Sequence, residues 1–134
     1  MNEGRFQKHL AGVAALWTFF SGAQAWYSHY KSRFKIWAQW KPVLLSPIQF
    51  GVCVAAIFSE FAAKKLLPAT SAVAIANGGV GFFYHARGIL RRPGGRKKWL
   101  YNILYGPPIF APLLFAACGT LGLLASLLRR ERRA

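Results

Sequence analysis

Acid is nearly absent from this chain. It contains no aspartate, and its acidic residues total 3 against 18 lysines and arginines. Without aspartate, no Asp-based catalytic triad or dyad can be assembled. Three scattered carboxylates also make no oxygen cage for Ca²⁺ or Mg²⁺. Cysteine is as sparse. Cys53 and Cys118 form neither a disulfide framework nor a zinc-ligand spacing, and they read as small buried hydrophobes. There is no glycine-rich phosphate loop followed by Lys-Ser or Lys-Thr. Internal repeats and low-complexity tracts are missing too. The polar stretches are too short to form a catalytic domain, so the chain is not expected to be an enzyme by itself.

A net charge of +15 raises the question of nucleic acid. The position of the charge answers it. Basic residues fall in short clusters between long runs that carry none, whereas a soluble basic domain interleaves charge with apolar residues. The pattern is that of apolar spans with headgroup-facing ends, and no nucleic-acid partner is expected.

Four spans are expected, over 10–30, 42–62, 68–88 and 108–128. Each is about 20 residues, which matches a hydrocarbon core of roughly 30 Å. Basic clusters close them: Lys31, Arg33 and Lys35; Lys64 and Lys65; Arg91 to Lys98; and Arg129, Arg130, Arg132 and Arg133. Tryptophans 17, 26, 37, 40 and 99 add aromatic anchors. Prolines 42, 68, 107 and 108 lie at span starts, where a missing N–H costs little. Residues 63–67 read as a short link, and 99–105 as an interfacial helix after an Arg-Pro-Gly-Gly-Arg turn. The expected fold is all-α: a four-helix transmembrane bundle with short basic loops, one integral membrane domain over 1–134. The bacterial inner membrane is the expected location, on size and simplicity.

Residues 1–25 also carry features of a secretory signal: Arg5 and Lys8, an apolar run, then Ala23-Gln24-Ala25. Trp17, Phe19 and Phe20 are bulky for that role, and the stretch continues to Tyr30 and Lys31, so a retained helix is expected. Charge does not orient the bundle. The face with the termini carries Arg5, Lys8, Lys64, Lys65 and the four C-terminal arginines, and the other face carries Lys31, Arg33, Lys35, Lys41, Arg87, Arg91, Arg92, Arg96, Lys97 and Lys98.

Polar groups inside a membrane are the strongest functional pointers, because burying them is costly. They are Gln24, His29, Gln49, Glu60, Asn77 and His85. The first and third spans run in the same direction, so His29 and His85 reach the same face. Small residues lie beneath each at helical spacing: Gly81, Gly78, Ala74 and Ser71 under His85; Ala25, Gly22, Thr18, Ala15 and Ala11 under His29. Two histidines on neighbouring helices suit a b-type haem, with Gly22, Gly78 and Gly81 leaving room for the ring and Arg87, or the basic loops on that face, pairing a propionate. Tyr27, Tyr30 and Tyr84 lie near that rim. The plainer reading is that small stripes only pack helices. Gln24 and Gln49 are at similar depth and suit a bond across helices, or one side of a quinone pocket. Asn77 reads as interhelical glue, and Glu60 as an i,i+4 partner of Lys64.

Two functions follow. One is an anchor or electron-transfer subunit of a membrane oxidoreductase complex, holding haem or bordering a quinone site beside a protein partner. The other is a non-redox structural or assembly protein that binds anionic lipid or an acidic partner through its basic loops.

Overall fold

The computed structural model describes residues 4–128. The expected arginine cluster at 129–133 lies outside the described residues. Within them the chain is all-helical: α1 Arg5–Lys31, α2 Trp40–Phe58, α3 Leu67–Leu90, α4 Trp99–Tyr105 and α5 Phe110–Leu127. Three stretches are long and apolar enough to cross a membrane: Trp37–Phe58, Ala62–Leu90 and Phe110–Leu127. Four had been expected. The difference lies in α1. Its 27 residues reach about 40 Å at helical rise, so length is not the obstacle. Arg5, Lys8 and His9 in its first turns and Gln24, Ser28 and His29 in its last dilute its apolar content.

The largest helix contact is α3 on α5, followed by α1 on α2, α1 on α5 and α2 on α3. α1 and α3 therefore face each other across the group rather than touching broadly. The start of α1 meets the end of α5, where Gln7 Nε2 donates to the Leu128 carbonyl at 2.6 Å.

Small residues make this packing possible. The buried set is mostly Ala11, Ala14, Ala15, Cys53, Ala56, Ala62, Ala63, Ala74, Cys118 and Ala125, with Leu67 and Phe115 among the few large members. A Cβ on Gly78 would lie 2.6 Å from Ala116 Cβ, and one on Gly119 would lie 2.7 Å from the Ser71 carbonyl oxygen, so α3 and α5 approach almost backbone to backbone. The large side chains point outward: Phe58 is 83 % exposed, Phe110 72 % and Leu127 70 %. Small inside and large apolar outside is how helices pack when the solvent is lipid.

The reversal between α2 and α3 departs from the expected link at 63–67. α2 ends at Phe58, and Ser59 is extended (φ −121°, ψ 123°). Its hydroxyl oxygen accepts the Ala62 N–H at 3.3 Å, which caps a new helical start. The chain then runs through a π-helical turn, Ala62–Leu66, directly into α3. Lys64 and Lys65 thus sit on a helix rather than in a loop. Lys64 pairs with Glu60 at 3.1 Å, as the i,i+4 spacing predicts. α4 occupies the residues expected of the interfacial helix.

Candidate functional site

The last three turns of α1 present one polar face. Ser21, Gln24, Ala25, Ser28, His29 and Ser32 recur at intervals of three and four, and all six line one cleft. The end of α1 is fixed by a tight reversal. Arg33 (φ 60°) and Phe34 (φ 43°) both adopt the left-handed region, which non-glycine residues avoid. The His29 carbonyl oxygen accepts twice, from the Ser32 hydroxyl at 3.0 Å and from the Phe34 N–H at 3.0 Å. The Phe34 ring then stacks on Trp40 with centroids 4.0 Å apart and leaves its centroid 6.1 Å from that of His29. The stack offsets the backbone strain and holds the histidine's turn in place.

The opposite wall comes from α3 and the start of α5. Asn77, Gly78, Gly81 and His85 line it from α3; Pro107, Pro108, Ala111, Pro112 and Phe115 line it from the far side. Gly81 admits Pro112, whose Cβ would lie 3.0 Å from an added methyl group. Gly88 does the same for Pro107 at 3.0 Å. Each proline disfavours a helical residue before it, so the chain stays open through Pro107 and Pro108, and helix α5 begins only at Phe110. The Pro108 carbonyl accepts the Ala111 N–H at 3.3 Å and also the His85 Nδ1–H at 2.8 Å. The histidine bond sets the tautomer: Nε2 keeps its lone pair.

The cleft has a volume of about 330 Å³. Lys35 and Gln39, from the connection into α2, and Pro42, in the first turn of α2, complete its lining. His29 and His85 are both half-buried, and both line the cleft. No protein-family profile, curated protein or solved structure matches this chain. Among the described residues no group of three or more His, Cys, Asp or Glu could hold a metal ion. Any metal here would need other ligands besides the two imidazoles.

The remaining expected site residues divide. Gly78 and Gly81 line the cleft, although their missing side chains admit α5 rather than leave empty space. Gly22 does not line it. It sits against the Ser46 side chain of α2, one position round the helix from the cleft face. Arg87 is exposed on the last turn of α3 and outside the lining, whereas Lys35 is within it. Tyr27, Tyr30 and Tyr84 are exposed; Tyr30 stacks on Trp26 at 5.3 Å instead of reaching the rim. Gln24 and Gln49 do not pair. Gln49 is 2 % exposed in the interior, where its Nε2 donates to Ser71 Oγ at 3.1 Å. The sequence places Lys35 only among the basic loops of this face and does not single out Ser21, Ser28, Ser32 or Gln39; the serines have a signal, since with Gln24 they repeat at a helical period.

Proposed function

We propose that this protein is a multi-pass membrane subunit of an electron-transfer complex, and that its cleft takes the head group of a quinone. In this reading α1 is the fourth span of a four-helix transmembrane bundle, and the bundle lies in a bacterial inner membrane beside a partner oxidoreductase subunit. The observation that carries it is the meeting of two imidazoles in one small cleft with an apolar wall and an amide and hydroxyl rim. A volume of about 330 Å³ is at the lower end of the range for ligand pockets and fits a single-ring head group. A quinone ring needs few polar partners, and Gln24, Ser28, His29 and Asn77 offer them from two sides. His85, with Nδ1 engaged, presents Nε2 to accept the proton of a quinol hydroxyl.

The same bond favours a second occupant. A histidine whose Nδ1–H is held by a backbone carbonyl is oriented as an axial ligand, so a b-type haem between His29 and His85 is the alternative. Lys35, not Arg87, is then placed to meet a propionate. The two occupants separate on the purified protein. A short-chain benzoquinone is expected to bind saturably, one per chain, with no Soret band. His29→Gln and His85→Gln each weaken binding about tenfold, the effect of one lost hydrogen bond. A Soret band lost in both variants replaces quinone with haem. Neither binding nor a Soret band removes both.

A further inference from the structure

We propose that the turn joining α3 to α4 is a receptor for the phosphate of an anionic phospholipid. Residues 91–98 (RRPGGRKK) place Arg91, Arg92, Arg96, Lys97 and Lys98 on one short reversal. Among the described residues no acid lies near them. Among the described residues the one acid is Glu60, which is at the other end of the molecule, 3.1 Å from Lys64. Charge alone would attract any anion. Three further observations narrow the ligand.

The turn is built rather than loose. Asn102 is 1 % exposed, and its Nδ2 donates to the carbonyls of Gly95 at 3.2 Å and Pro93 at 3.5 Å. Gly94 and Gly95 supply the positive φ angles, 85° and 43°, that the reversal requires. A receptor already in shape pays little ordering entropy on binding. Arg92 is only partly used. Its Nη1 donates to the Tyr105 carbonyl at 2.9 Å, while its buried Nε–H has no partner among the described residues. The exposed guanidiniums of Arg91 and Arg96 beside it are planar forks of donors that suit the multi-oxygen face of a phosphate. Beside the turn, α4 exposes Trp99, Leu100, Tyr101, Leu104 and Tyr105. Aromatic and aliphatic side chains next to cations are the composition of a membrane–water boundary. A free phosphate has no use for that apolar row, whereas a phospholipid lays its acyl chains along it. The lipid must carry net negative charge, since a choline headgroup sets its own cation against the arginines.

The test uses the full chain in a neutral detergent, with lipid adducts read by native mass spectrometry. Phosphatidylglycerol is expected to be retained at least about tenfold over phosphatidylcholine, and less so at high salt. The combined variant Arg96→Gln/Lys97→Gln/Lys98→Gln spares the Arg92–Tyr105 bond and brings phosphatidylglycerol down to the phosphatidylcholine level. Arg96→Lys, which keeps the charge, retains most of the lipid. Lys8→Gln/Lys65→Gln, at the opposite end, leaves retention unchanged. Equal retention of the two lipids overturns the proposal, as does retention that survives the triple variant or falls equally in the distant pair. Displacement by inorganic phosphate at matching concentration assigns the turn to a free anion and overturns the lipid. Each outcome is independent of quinone or haem in the cleft.

Discussion

At the scale of single residues, the molecule is decided by the side chains it leaves out. Gly78, Gly119 and Gly122 let α3 and α5 approach until an added Cβ would touch backbone or a neighbouring side chain. Gly51, on α2, has nothing within 4 Å of that position. The same substitution therefore has opposite effects at two sites. Gly119→Ala drives a methyl group against the Ser71 carbonyl and should cost about 1–3 kcal/mol through overpacking. Gly51→Ala meets no neighbour and should stabilise by about 0.5–1 kcal/mol through reduced backbone entropy. Equilibrium unfolding in mixed detergent measures both, and a Gly119→Ala protein as stable as the parent contradicts the close approach. Gln49 illustrates the opposite economy. It bonds Ser71 and fills the space beside Gly122, yet its Oε1 is buried with no partner among the described residues, so this interior polar pair is only partly satisfied.

At the scale of elements, Ser59 matters most. It ends α2, caps the helical start that follows, and so sets where α3 begins its approach to α5. Ser59→Ala should lower stability by about 1 kcal/mol, while Ser59→Asp, which also accepts the Ala62 N–H, should keep most of it. Equal losses in both variants would show that the hydroxyl is not the cap. This break was not legible in the sequence, because the apolar residues resume at Phe61 directly after Ser59 and Glu60, and so short a polar interruption is compatible with one helix. The helix at Trp99–Tyr105 was legible, because Pro93, Gly94 and Gly95 end α3 and the aromatic segment begins directly after. The cleft was legible in part. Parallel spans bring His29 and His85 to one end whatever the packing. Which face of α1 turns inward was not, because the buried stripe through Thr18 and Gly22 and the polar face through Gln24 and Ser28 lie side by side on one helix. Only the position of α2 assigns Gly22 to packing. The Pro108 carbonyl that holds His85 has no sequence signature, since it depends on where the start of α5 falls against α3.

At the scale of the whole molecule, an inverted distribution of side-chain size and an uneven distribution of charge agree. The interior is alanine, glycine, cysteine and small polar groups; the exterior carries the phenylalanines and leucines. The connections α1–α2 and α3–α5 carry clusters of basic residues, and of these Lys35 lines the cleft. A cleft between α1 and α3 exists in the membrane only if α1 crosses it, and α1 is the least apolar of the long helices. Its crossing is therefore the claim on which the function turns. Cys53 and Cys118 are buried, so a single introduced cysteine can report on its own surroundings. With Gln7→Cys, Lys35→Cys and Arg96→Cys made one at a time in sealed membrane vesicles, a membrane-impermeant maleimide should label positions 35 and 96 from one side and position 7 from the other. Labelling of positions 7 and 35 from the same side would leave α1 on the surface, and His29 could not meet His85 in a membrane-embedded cleft.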